Sequence, residues 1–265
     1  MTAMTLDLPQ AEDRIAARRT VTMAICQVRY DQQASVGSGA TALAFHEKLG
    51  GTDGPYPNIE EVEGASRMVM GVGRGRPIAE TTRIPGWSLT SADQAWSLAL
   101  LPGNMGMQSD SYGGWEDFEQ RLSAAIDALR EIVRPAVEQR LGLRFVDLIP
   151  GKSVGVDAAA SWAPYINREF LGALLVPGLG PSIRVSFQQA LIDLGEDAVC
   201  NLRTGPSGPN DDGSVDFVVD CDLYREVGRP FDGPAILNSV SRFKEQADRF
   251  VQSVVTPALP DKLDS

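Results

Sequence analysis

The chain has 265 residues, of which 43% are hydrophobic and 22% charged, so it suits a soluble globular protein of one large domain or two intimate ones. Its formal net charge is −11, which opposes binding to nucleic acid or to an anionic membrane surface, because both rest on clustered Lys and Arg. No run approaches the roughly eighteen apolar residues of a membrane span, and residues 1–20 hold no signal-like apolar core. In chain order, residues 1–20 are polar and unpatterned and read as a tail. "VTMAICQVRY" (21–30) reads as a strand. "SVGSGA" breaks it, and 41–50 reads as a short helix closed by Gly50 and Gly51. A loop rich in Gly, Pro and acid follows ("GTDGPYPNIEEVEG"), then a strand over 66–73, a connector over "RGRPIAETTRIPG", and two strands over 87–93 and 95–101. "PGN" turns the chain into a last short strand, "MGMQSDSY".

The strongest helical signal runs over 115–139. Phe118, Leu122, Ala125, Ile126, Leu129, Ile132, Val133, Ala136 and Val137 share one stripe of period 3.6, and Pro135 predicts a kink or an early stop. The second half gives a strand over 143–149, a loop over "GKSVGVDAAASWAP", a helix over 165–178, and strands over 182–192, 196–203 and 215–224. "TGPSGPNDDGS" is an exposed turn. A closing helix carries Ile236, Val240, Phe243, Ala247, Phe250, Val251 and Val254 on one stripe and ends before Pro257; residues 258–265 read as a tail.

The order strand, helix, three or four strands, long helix therefore occurs twice. Asp110 and Tyr112 mark one strand-to-helix junction and Asp222 and Tyr224 the other. The expectation is a pseudo-duplication with a period of about 115 residues. It has an N-terminal tail (1–20), a first α+β repeat (21–139), a second (140–257) and a C-terminal tail (258–265). Mostly antiparallel sheet packed on long helices is an α+β arrangement, with the element order of helix-grip or TATA-binding-protein-like folds.

"AICQVRY", "GWSLTSADQAWSLAL", "DSYGGWEDFEQRL", "EQRLGLRFVDLI" and "DCDLY" together resemble a sporadically distributed prokaryotic family of no established function. The most specific piece is "RLGLRFVDLI" (140–149), similar to that family's Arg-x-Gly-x-Arg-aromatic signature. The resemblance covers 21–257 and supplies no catalytic residue. Read locally, "RLGLRF" predicts a helix-to-strand corner: Arg140 in the last helical turn, Gly142 as a left-handed cap, Arg144 at the start of a strand. The alternative is an Arg140/Arg144 pair gripping a carboxylate or phosphate.

Groups for chemistry are few. His46 is the lone histidine and is expected on the solvated side of its helix, without a nucleophile motif nearby. "GVGRGRP" lacks dinucleotide spacing, and "PGKSVG" lacks the first glycine of a P-loop. The basic stretches Arg14, Arg18, Arg19 and Arg74, Arg76 are too sparse for nucleic acid. Cys26, Cys200 and Cys221 lie in apolar strands and fit reduced thiols in a cytoplasm. On the strand 215–224, Asp216, Asp220 and Asp222 share a face with Val218 and Tyr224. They could hold Mg²⁺ or Ca²⁺ in a metal-assisted hydrolase, or form a solvated face with Arg184 as a partner. Trp87, Trp96, Trp115 and Trp162 could line a ligand cavity between sheet and helix, or pack in the core. The reading favoured by this poverty of catalytic groups is a non-enzymatic protein-interaction or scaffold protein. It has no cofactor, another protein as partner, and no nucleic acid or membrane.

Overall fold

A computed structural model describes residues 8, 20–73 and 76–259, with the side chains of 63–84 excepted. Arg14, Arg18, Arg19 and Arg74, and most of both expected tails, lie outside the described residues, as does the side chain of Arg76. The chain is mixed α+β, with extensive antiparallel sheet and a few helices. Among the described residues no helix is long and apolar enough to cross a membrane. The chain divides into two compact units. Among the described residues, one comprises Cys26–Leu141 and Val227–Leu237, and the other comprises residues 8, 20–25, 142–226 and 238–259.

β1 (Val21–Tyr30), which enters the first unit at Cys26, buries Ala24, Cys26, Val28 and Tyr30 at alternate positions, as a pleated strand with one covered face must. A 3₁₀ turn (Ala34–Gly37) leads to α1 (Gly39–Lys48), whose cap is Ser38: its Oγ accepts from the Ala40 N–H at 3.3 Å. Gly50, at φ 102°, reverses the chain where a side chain would be strained. β2 (Asn58–Gly73) and β3 (Arg76–Thr90) then form a long antiparallel hairpin, in register from Asn58↔Thr90 to Gly73↔Arg76 with one shift near Gly64. Much of this hairpin was expected as loop and connector. Its glycines and prolines depress strand propensity, but a partner strand supplies the backbone hydrogen bonds that propensity does not register. β4 (Trp96–Leu101) and β5 (Asn104–Ser109) make a tight hairpin closed at Leu101↔Asn104. Trp96, Leu98 and Leu100 alternate inward, as do Met105, Met107 and Ser109.

α2 (Trp115–Ala128) lays Phe118, Leu122, Ala125 and Ile126 inward, then loosens into one π turn, Leu129–Val133. The helix ends there and not at 139. Arg134 turns left-handed at φ 58° and its N–H closes on the Leu129 carbonyl at 2.9 Å; Pro135 can continue no helix. β6 (Val137–Ile149) follows, so "RLGLRF" is strand and not corner. Leu141, Leu143 and Phe145 alternate into the core, and Gly142 keeps a negative φ. The start of β6 is clasped to the end of β1 by Asp31, whose Oδ1 accepts from the Ala136 and Val137 N–H groups at 2.8 and 2.9 Å. A two-residue β10 (Arg229–Pro230) pairs with Glu138 and Val137. The hydrogen-bonded order within this unit is β2-β3-β4-β5-β1-β6.

In the second unit the residues of β6 from Gly142 onward lead to α3 (Gly151–Val154) and to 3₁₀ turns at Ala159–Trp162, Arg168–Phe170, Gly172–Leu175 and Gly180–Ser182. The helix expected over 165–178 is therefore absent. Asn167 is held instead by long-range bonds, its Nδ2 donating to the Ser253 and Val255 carbonyls at 2.7 and 3.2 Å, and Gly172 takes φ 48°. β7 (Gln188–Gly195), β8 (Ala198–Pro209) and β9 (Val215–Arg225) complete the order β6-β9-β8-β7. Strand β7 begins six residues later than expected: a 3₁₀ turn occupies Gly180–Ser182, and residues 183–187 belong to no regular element. Strand β8 begins two residues late because Gly195, Glu196 and Asp197 form a turn at positive φ. Phe217, Val219, Cys221 and Leu223 face the core, and α4 (Gly233–Val254) buries its whole predicted stripe from Ile236 to Val254.

Candidate functional site

Alternation along β9 puts Val215, Phe217, Val219, Cys221 and Leu223 on the covered face, which forces Asp216, Asp220 and Asp222 onto the other. Two of the three carboxylates have different hydrogen-bond partners, and the third acts on the same guanidinium as the second. Asp216 Oδ1 accepts from the Gly151 N–H at 2.9 Å. Asp220, only 5% exposed, receives the guanidinium fork of Arg144: Nε to Oδ1 and Nη2 to Oδ2, both 2.8 Å. Asp222 adds its charge to the field that, with the Asp220 hydrogen bonds first, holds Arg144 above its ordinary pKa against the opposing effect of burial. Among the described residues no three or more His, Cys, Asp or Glu side chains gather as metal ligands. The expected cationic partner Arg184 is exposed and elsewhere. Arg203 takes that place, directly opposite Asp220 in the β8–β9 register, with Nη1 3.8 Å from Oδ2. Its guanidinium also lies 5.6 Å from the Phe187 ring centroid.

Arg140 and Arg144 do not form one grip. In the first unit Arg140 Nη1 donates to Gln27 Oε1 at 2.6 Å; in the second Arg144 is bound to Asp220. The tryptophans are divided as well. Trp162 is buried in the second unit, its Nε1 donating to the Val215 carbonyl at 2.9 Å, with Phe217 at 5.5 Å. Trp87 donates to the Val36 carbonyl at 3.0 Å. Trp96 and Trp115 both pack on Phe118, at 5.8 and 5.9 Å between centroids. Arg121 lies 4.5 Å above Trp96 and is fixed by Asp117 one helical turn earlier at 2.9 Å. Tyr56 completes this cluster. Burial pushes its phenol up, and the Arg121 charge draws it part of the way back. Neither the Tyr56 hydroxyl nor Arg121 Nη1 has a hydrogen-bond partner among the described residues.

His46 is not solvated. It is 3% exposed, and its Nε2 meets the Tyr56 carbonyl at 2.8 Å.

The feature that sequence reasoning missed is apolar and exposed. Leu175, Val176, Leu179, Val185, Phe187 and Leu191 all face solvent in the second unit, Leu191 at 68%. Gly172 joins the 3₁₀ segment to β7, since a Cβ there would stand 2.6 Å from Gln188 Nε2. Periodicity could not find this exposed stretch: most of it lies outside regular elements, and apolar residues are ordinarily assigned inward.

No protein-family model matches the chain, and no curated protein matches it. Among solved structures, the crystal structure of the di-domain ARO/CYC StfQ from the steffimycin biosynthetic pathway is similar at 10% sequence identity, over 87% of this chain and 96% of that one, with a TM-score of 0.18. A likeness at that score carries neither fold nor function to this chain.

Proposed function

We propose that the chain is a non-enzymatic interaction protein whose contact surface is the apolar stretch 175–191. The observation that carries this is positional. Six of the nine large hydrophobic side chains exposed among the described residues fall within that short stretch. Exposed apolar residues scattered singly need no explanation, whereas a cluster marks a contact surface. The chemistry of the polar groups supports the same reading. Asp220 is taken up by Arg144 and Arg203, Asp216 by a backbone N–H, and His46 by a carbonyl. A cytoplasmic setting is part of the proposal, supported by three free buried cysteines. So is a duplication of one α+β plan. The order of elements supports it; the Asp-x-Tyr marks do not, because Asp110 follows β5 whereas Asp222 lies inside β9.

Affinity capture from the native host tests the interaction. The wild-type chain should recover one protein reproducibly, and Val176→Asp with Leu179→Asp should reduce that recovery at least about tenfold, the scale of losing a core contact. Recovery of the chain alone, or of a partner that the double variant holds equally well, would sink the proposal.

A further inference from the structure

Strand β7 ends the hydrogen-bonded order of its unit, and among the described residues β8 is its single neighbour, so one edge of its backbone is left without a strand partner there. The edge begins before Gln188. A Cβ on Gly205 would stand 1.9 Å from the Ser186 carbonyl and 2.9 Å from the Phe187 Cα, so the chain from Ser186 already runs flush along β8. Natural proteins blunt such edges with Lys, Pro or a bulge. Residues 185–192, "VSFQQALI", contain no charge and no proline, and the register shift of β7 falls beyond them, at Asp193/Gly195. The ends of the segment differ in sign: Arg184 precedes it and the exposed Asp193 follows it, whereas Glu196, in the turn beyond, is already paired with Arg242 at 2.7 Å.

We infer that the occupant of this edge is the same edge of a second copy of the chain, paired antiparallel. The inference rests on the reading of 175–191 as a contact surface and names the partner for its strand. Two physical arguments select it. Antiparallel pairing about Gln189 brings Arg184 of each copy beside Asp193 of the other, whereas parallel pairing would set like charges together. A two-fold axis at Gln189 sets Phe187 of each copy opposite Leu191 of the other, so the exposed apolar side chains of both copies are covered at once. The result is a closed isologous dimer joined by main-chain hydrogen bonds. Leu175, Val176 and Leu179 stand outside the strand pairing, so each dimer presents that surface twice.

Sedimentation of the full chain across about 1–100 µM tests the dimer. The wild type should sediment as a dimer at the upper end. Leu191→Lys should weaken it at least about tenfold by placing two cations near the axis. Gln189→Cys should form an intermolecular disulfide on mild oxidation, because only an axial residue faces its own copy and the native thiols are buried. Both positions are exposed, so both variants should keep the wild-type circular dichroism spectrum. A wild type that stays monomeric, a dimer indifferent to Leu191→Lys, or a Gln189→Cys chain that does not cross-link would each overturn the inference. The two readings fail separately. A monomer that still captures a protein through Val176 and Leu179 removes the dimer alone. A dimer that captures nothing removes the interaction reading alone.

Discussion

The imidazole of His46 and the guanidinium of Arg144 each answer a buried oxygen, and each should be costly to remove for that reason. His46→Leu leaves the Tyr56 carbonyl without its donor, which should destabilise the fold by about 1–3 kcal/mol in chemical denaturation. An unchanged midpoint would show that water replaces the imidazole freely. Arg144→Ala leaves the Asp220 carboxylate, 8% exposed at its side chain, with only the more distant Arg203. The cost should be about 1–3 kcal/mol; the figure for a fully buried pair is higher, but Arg144 is itself 37% exposed and partly screened. Arg144→Lys should recover little, because an ammonium cannot supply the two parallel bonds. A double-mutant cycle with Asp220→Asn isolates the pair, and a coupling near zero would refute the assignment. Of these two contacts, neither was legible in sequence. His46 stands four residues after buried Ala42 on the covered side of α1, yet its acceptor lies in a loop ten residues on. Arg144 and Asp220 are 76 residues apart, and nothing short of strand register brings them together.

Within elements, period carried further than propensity. The 3.6 stripe of α2 placed Phe118, Leu122, Ala125, Ile126 and Leu129 inward, and all five are buried. Leu129→Ala should therefore cost about 2–5 kcal/mol, whereas Arg130→Ala, half exposed and paired with Asp127 and Glu131 at the surface, should stay within about 0.5 kcal/mol. A loss below about 1 kcal/mol for Leu129→Ala would mean that the helix spans open space, as a hollow ligand-binding fold would require. The same stripe overran its end. Ala136 and Val137 kept the period but are exposed, because Arg134 and Pro135 had already stopped the helix. Across 140–145 the period of two was present in Leu141, Leu143 and Phe145, and glycine at 142 masked it by suggesting a cap. The 3₁₀ turns of 159–182 carry no period at all, and their conformation comes from contacts such as Asn167 with the end of α4.

At the level of the whole molecule, folding stability should decline in alkali. Burial, and then the charge of Glu138, push the Cys26 thiol from its ordinary 9.0 up to about 12. Burial and the Asp31 charge raise the Tyr30 phenol as well. Above pH 9 the unfolded chain loses protons that the folded chain retains, so rising pH favours unfolding until the folded groups ionise in turn. The denaturation midpoint should fall steadily between about pH 9 and pH 11, and the three native thiols should resist alkylation until unfolding exposes them. A flat midpoint across that window would contradict the burial of both groups. The clasp made by Asp31 has a different consequence, in time. Its two amide partners, Ala136 and Val137, follow it by 105 and 106 residues. A ribosome adding about 5–20 residues per second delivers them roughly 5–20 s after the carboxylate. For that interval the nascent chain carries β1 without β6, its neighbour in the sheet, and without the fastening that joins them.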